Sequence, residues 1–287
     1  MTHVEEATVE MFDDIYPLLQ ELNNDGMTRD RWKRMFEYSW KSQIGNVLVD
    51  RDRIVGFIGT LFSRRIIDGR EAALCNLSSW IVKDEYRSES LRLLLPLLKR
   101  KDHTFTNLTL NPRVAEIMKR LGFKDLDTNV KLLFPVPAFS GNSRKERPTI
   151  VSDEAEIIKA LDSKDLRIFA DHSQYGCGHV VIREGGDYCY MVFTRKYRGK
   201  SFHKVPYAHL HYISSRRLFL KHLNRIKLNF LMEHKCCFLM VEERLVGTQP
   251  LPFSRVHTLK VPKMYKSHLL TSEQVDNLYT ELIVLGL

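Results

Sequence analysis

The residues best spaced for chemistry run from Trp80 to Arg92. Trp80, Ile81 and Val82 read as the end of a buried strand, and Lys83-Asp84-Glu85 as a polar turn. An apolar helix is then expected to open near Ser88 and to carry Leu91, Leu93, Leu94 and Leu95. A helix that starts directly after a strand leaves backbone N–H groups without partners at the positive end of its dipole, an arrangement that holds anions. Ser88 and Ser90 are small enough to let a ligand reach the main chain, and Arg87 adds a guanidinium suited to phosphate. The chemistry implied is the binding of a phosphate or diphosphate. Serines ahead of a helix are more often its plain N-caps, so the residues alone leave both roles open.

Two further groups are notable. His209 and His211 share one face of a strand by its period of two, as an acid/base couple or a metal site would require. No clear third ligand accompanies them, so histidines with ordinary partners are expected, and no metal. Arg195, Lys196, Arg198, Lys200, Arg216 and Arg217 make a basic neighbourhood that also holds His203, Tyr207, Tyr212 and His222. Arg216 and Arg217 fall at an expected helix start, where positive charge opposes the dipole; either an anion binds there or the loop is a solvated basic one.

The elements that must position these residues follow from periodicity. Phe12, Ile15, Leu18, Leu19 and Leu22 recur at helical spacing up to Asn24-Asp25-Gly26, and 31–40 is a second amphipathic helix. Strands are expected over 46–49, 54–62 and 72–82, with turns at Asp50-Arg51-Asp52 and Asp68-Gly69-Arg70. Then come a helix over 91–101, a strand over 105–110, a helix over 112–121 and a strand over 130–134. Proline, glycine, serine and charge without period mark a linker over 138–148, giving domains 1–137 and 149–287. The second half repeats the order: a helix over 154–161, hairpin strands about Glu184-Gly185-Gly186-Asp187, a strand over 209–213, a long helix over 216–233 and a strand over 236–242. Nothing after Gly247 offers a usable pattern. The fold class expected is α/β, a mixed sheet with helices on its faces, present twice in tandem.

Val82-x-x-x-Tyr86-Arg87-Ser88-x-Ser90 resembles motif A of the GNAT acyl-CoA N-acyltransferase superfamily. Asn111-Pro112-Arg113 through Lys119-Arg120-Leu121-Gly122-Phe123 is similar to its motif B. The resemblance covers residues 9 to 134; the second half shares only element order. It implies acyl-CoA, with acetyl-CoA foremost, lying in a cleft of a splayed sheet. The main chain of Trp80, Ile81 and Val82 would then bind the pantetheine arm and acyl carbonyl. The amides of Ser88, Glu89, Ser90, Leu91 and Arg92 would cradle the diphosphate beside Arg87, and Asn111 would contact the cofactor. The activity implied is N-acetyl transfer to an amine or amino sugar by direct attack. A non-catalytic acyl-CoA-binding protein of the same fold is the alternative.

This chain departs from the pattern twice. Ser88, Ser90 and Arg92 stand where the family usually has glycines, and Met118 stands where it often has a tyrosine that protonates the leaving thiolate. Glu71, Ser78 and Ser79 are candidates for the remaining catalytic roles, against readings as an exposed edge carboxylate and ordinary strand residues.

Bulk properties bound these readings. Hydrophobic residues at 44% and charged residues at 28% of 287 fit a folded globular chain. A net charge of +9 favours an anionic partner, a phosphorylated cofactor ahead of nucleic acid, or else a merely solvated basic surface. Five cysteines with no C-x-x-C spacing indicate neither a disulfide framework nor a zinc site. The acidic start and the absence of an apolar run of about 18 residues lead to the expectation of a cytoplasmic protein that does not enter membranes.

Overall fold

A computed structural model describes residues 1–22, 26–136, 148–199 and 204–287. Of the expected linker only Pro148 is among them; Asn24-Asp25, Lys200 and His203 also lie outside the described residues. Contacts divide the chain into two compact units that interleave along the sequence. The first holds Met1–Leu126, Val261–Val275 and Tyr279–Leu287, and the second Asp127–Lys260 and Asp276–Leu278. Compared with the division expected at 137 and 149, the segment after Asp127 belongs to the second unit and most of the chain after Val261 to the first. Among the described residues, no helix is long and apolar enough to cross a membrane.

The first unit starts with strand β1 (His3–Glu6) and helices α1 (Phe12–Gln20) and α2 (Arg29–Glu37). Both helices bury one stripe: Phe12, Ile15, Leu18 and Leu19 from α1, and Trp32, Met35 and Phe36 from α2. Strands β2 (Gly45–Asp50), β3 (Arg53–Ile67) and β4 (Arg70–Val82) form a meander. Its two tight turns need left-handed residues, supplied by Arg51 and Asp52 in the first and Asp68 and Gly69 in the second. Helix α3 (Leu91–Leu98), strand β5 (His103–Asn107) and helix α4 (Pro112–Arg120) complete the β-α-β-α run expected from the sequence. The core joins Ile58, Phe62, Cys75 and Leu77 of the sheet to Leu93, Leu94, Leu97, Ala115 and Met118 of the helices.

Strand β6 (Lys124–Leu133) leads into the second unit, with β7 (Thr149–Val151), α5 (Glu154–Ala160), α6 (Ser163–His172), β8 (Gly178–Glu184), β9 (Asp187–Arg198) and β10 (Val205–Ile213). Helices α7 (Arg216–Lys221) and α8 (Leu223–Met232), strand β11 (Phe238–Glu242) and the short α9 (Glu243–Val246) follow. The long helix expected over 216–233 is thus broken at His222, whose backbone (φ −109°, ψ 18°) leaves helical geometry without a glycine or proline to signal it. Strand β12 (Ser254–Lys266) and the short α10 (Glu281–Val284) end the chain.

Each unit contains a mixed sheet with the same core arrangement. In the first, β4 and β5 are parallel from Ala73↔His103 to Asn76↔Thr106, and β5 also pairs antiparallel with β12 at Met264↔Asn107. In the second, β10 and β11 are parallel from Tyr207↔Phe238 to His209↔Met240, and β11 pairs antiparallel with β6 at Leu239↔Leu133.

Candidate functional site

The first unit's parallel pair opens into a fork. The β4–β5 register ends at Asn76↔Thr106; β5 stops at Asn107 while β4 continues to Val82. Beyond the last paired residue β4 carries a bulge: its register with β3 jumps from Gly59↔Ser78 to Phe57↔Ile81, so two residues face one. Ser79 takes the left-handed conformation there, with φ 52°. A serine in that region carries strain that surrounding structure must hold, and such strain is concentrated at binding and catalytic sites. The Ser78 and Ser79 hydroxyls are 3.2 Å apart. Trp80, Ile81 and Val82 are half-buried on the unpaired length of β4. The Trp80 indole N–H donates to the Ser90 carbonyl at 3.3 Å, tying the strand end to the segment after it.

That segment differs from the helix start expected near Ser88. Asp84–Glu89 is a 3-10 turn, and α3 begins only at Leu91, with Ser90 as its cap. The tighter turn uses backbone donors internally; the Ser90 amide gives its hydrogen to the Arg87 carbonyl at 3.3 Å. Arg87 pairs with Asp84 at 2.6 Å, and Arg92 pairs with Glu89 and reaches the Thr2 carbonyl at 3.1 Å. The charge offered to a diphosphate is therefore partly matched by carboxylates within the same turn. Asn111 caps α4, its Oδ1 accepting from the Val114 amide at 2.9 Å. Met118 is fully buried in the core, so it fills space rather than facing a thiol. Glu71 is exposed at the hairpin end of β4 and pairs with Arg64 at 2.6 Å, a whole strand away from Ser79.

The fork also holds a residue that the sequence reading did not single out. Glu281, at the start of α10, is completely buried. Its Oε1 accepts from the Leu108 amide at 3.3 Å and from the Thr109 hydroxyl at 3.0 Å, both just past the end of β5. Its own amide donates to Asn76 Oδ1 at 3.0 Å, and Asn76 Nδ2 donates to Thr106 Oγ1 at 3.1 Å. Glu281 thus bridges β4 and β5 where they part. Burial pushes its carboxyl up to about 7, although hydrogen bonds to its charged form oppose the rise. Among the described residues its Oε2 has no hydrogen-bond partner. The one signal in the sequence is an acid opening the apolar run Leu282-Ile283-Val284-Leu285.

In the second unit, buried side chains that pair with one another lie where the β10–β11 register ends. The β9–β10 register slips at His211, as the β3–β4 register does at Ser79. His209 Nε2 lies 2.9 Å from Glu242 Oε1, and His211 Nε2 lies 2.8 Å from Thr194 Oγ1. The two imidazoles do share a face, 4.5 Å apart, and both are buried. Among the described residues no group of three or more His, Cys, Asp or Glu side chains is placed to hold a metal ion. Arg216 Nε donates to the Leu245 carbonyl at 3.1 Å, and Arg217 pairs with Asp187 at 2.5 Å. The conflict between these arginines and the α7 dipole is met by protein groups: the carbonyls of α9 and a hairpin carboxylate.

No protein-family model matches the chain, and no curated protein matches it in sequence. Solved structures do match it in shape. A GCN5-related N-acetyltransferase from Anabaena variabilis aligns with a TM-score of 0.60 at 9% identity, over 93% of this chain and 72% of that one. A putative acetyltransferase from Pyrococcus horikoshii gives 0.52 at 17% identity, over 96% and 92%. An N-myristoyltransferase from Saccharomyces cerevisiae with bound myristoyl-CoA gives 0.50 at 10% identity, over 97% and 83%. A meander, a bulged fourth strand and a parallel pair whose register ends short of Val82 stand with those matches, which show the fold alone: the chain has a GNAT-type acyltransferase fold.

Proposed function

We propose that the protein is an acyl-CoA-dependent N-acyltransferase whose first unit binds the acyl donor at the β4–β5 fork. The observation that carries this reading is the end of the β4–β5 register at Asn76, which leaves β4 from Leu77 to Val82, with its bulge at Ser79, without a β5 partner. Unpaired main-chain donors and acceptors on that edge are what an extended amide-bearing chain such as pantetheine would pair with, in the manner of an added strand. The acyl carbonyl would lie at the bulge, and the diphosphate near the turn of Arg87, Ser88, Glu89 and Ser90. An amine then attacks the thioester carbon directly, since Cys75 is buried, with its thiol pushed up beyond the range useful for a nucleophile.

Acetyl-CoA is the donor we favour and a small amine or amino sugar the acceptor. The second unit repeats the hairpin, the slipped register and the parallel pair, and we read the two as diverged copies. Calorimetry with acetyl-CoA and longer acyl-CoAs, followed by thiol release over a panel of amines, tests the proposal. Arg87→Glu serves as the weakened-binding control. Failure of the wild-type chain to bind any acyl-CoA would remove the reading.

The burial of Met118, which leaves that position without a proton donor, favours a second reading, a binder without turnover. It requires firm acyl-CoA binding with no thiol release on any amine, protein lysines included.

A further inference from the structure

We propose that Glu281, acting through the Thr109 hydroxyl, takes the proton from the acceptor amine. The inference rests on the acyltransferase reading above and supplies the proton acceptor that reading lacks. Aminolysis of a thioester requires the attacking nitrogen to lose a proton, and a well-placed base contributes on the order of 10²–10⁴ in rate. Glu71 is on the wrong end of β4, and Met118 has no proton chemistry.

Glu281 stands where the geometry asks for a base. Ser79 lies three residues beyond the last paired residue of β4, and Thr109 two residues beyond the end of β5, so the two flank the mouth of the fork. Thr109 is exposed, and its hydroxyl hydrogen already points to Glu281 Oε1 at 3.0 Å. The exposed hydroxyl can therefore meet a substrate while the acid behind it stays dry. The remaining partners of the carboxyl are neutral: the Leu108 amide beyond β5, with Asn76 of β4 held by the Glu281 amide. Leu108, Leu126, Val275 and Leu282 make the surrounding cluster, against which Tyr265 of β12 packs as a further titratable group. A carboxyl in such a setting titrates near neutrality, where it can both accept and return a proton.

The step balances without another reactant. The amine nitrogen forms its bond to the acyl carbon, the C–S bond breaks, and its electron pair leaves on the CoA sulfur. The nitrogen's proton passes to Thr109 Oγ1 as the threonine's own proton passes to Glu281. Return of a proton along the same path to the sulfur regenerates the carboxylate and yields the free thiol, the service Met118 cannot provide.

The test measures kcat/KM against pH with acetyl-CoA and two amines of different basicity, together with acetyl-CoA affinity by calorimetry. In the wild type one rising limb near pH 7 should stay fixed when the amine is changed. Glu281→Gln should keep acetyl-CoA affinity, lose that limb, and slow transfer on the order of 10²-fold or more. Thr109→Val should slow transfer in the same direction, and Thr109→Ser should restore it. Because Thr109 is exposed, its variants keep the test open even if Glu281→Gln folds poorly. Full activity with an unchanged limb in Glu281→Gln, or unchanged transfer in Thr109→Val, overturns the relay while leaving the acyltransferase intact. A wild-type chain that binds acyl-CoA but transfers to no amine also overturns it. A chain that binds no acyl-CoA fails at the earlier step and takes the relay with it.

Discussion

Replacing Glu281 by glutamine should change how the stability of the fold depends on pH, whatever its effect on catalysis. The carboxyl is fully buried, with its value raised from 4.5 to about 7, burial being the main cause. A raised value means the fold prefers the uncharged acid. The stability it lends is present in full below pH 4.5 and is lost as pH climbs through 7. The size of the rise corresponds to about 3 kcal/mol between those limits. Glutamine keeps an oxygen for the Leu108 amide and the Thr109 hydroxyl, but places an NH2 where Oε2 has no partner, at a pH-independent cost of about 1–3 kcal/mol. The variant should therefore be the weaker protein at pH 5 and draw level with or overtake the wild type at pH 8.5. Urea unfolding of both chains at intervals from pH 5 to 8.5 reads the difference directly. Two curves separated by a constant offset would show that Glu281 does not titrate between those pH values in the fold, and the reasoning from burial would be wrong.

Other substitutions test the architecture around the fork and beyond it. Asp127→Ala should lower stability in urea unfolding by about 1–3 kcal/mol, because it removes the carboxylate that pairs with the buried Arg244 and leaves that arginine to Asn277 at 2.6 Å and to the charge of Asp276. Ser79→Gly should raise stability or leave it unchanged and preserve acyl-CoA affinity, whereas Ser79→Val should lower both, since a β-branched residue resists φ 52° at a cost of roughly 1–2 kcal/mol. Gly45→Ala should lower the melting temperature, because its Cβ would overlap the Ile58 carbonyl oxygen at φ +150°.

Much of the first unit was legible in the sequence because its signals are local. Asp50-Arg51-Asp52 and Asp68-Gly69-Arg70 tolerate the left-handed turns that join β2, β3 and β4, and Leu93, Leu94 and Leu97 of α3 face one core. The strand ending at Val82 and the helix over 112–121, closed by Gly122 with φ 84°, were also readable as short-range patterns. Strand β12 was not readable, because most of its residues are exposed or half-exposed and Pro262 interrupts it; pairing with β5 is what holds Met264–Lys266 as a strand. Helix α6 went unseen because the first part of the second half carries few periodic apolar residues, Ile168 and Phe169 being its buried pair.

The bonding partners of the charged groups were out of reach of any sequence pattern. Whether Arg87 is a bare cation or an ion pair depends on the tight winding of Asp84–Glu89, and whether Arg216 calls for an anion depends on carbonyls of residues 244 and 245. Glu281 is the sharpest case: Asn76, Leu108 and Thr109 are far from it in the chain, and only folding removes water from its carboxyl. Periodicity and turn chemistry act over a few residues, so sequence alone determined the elements of the meander. Desolvation and pairing of charge depend on what distant segments bring to one place, so the tertiary structure alone decided which acid sits at the fork and in what state.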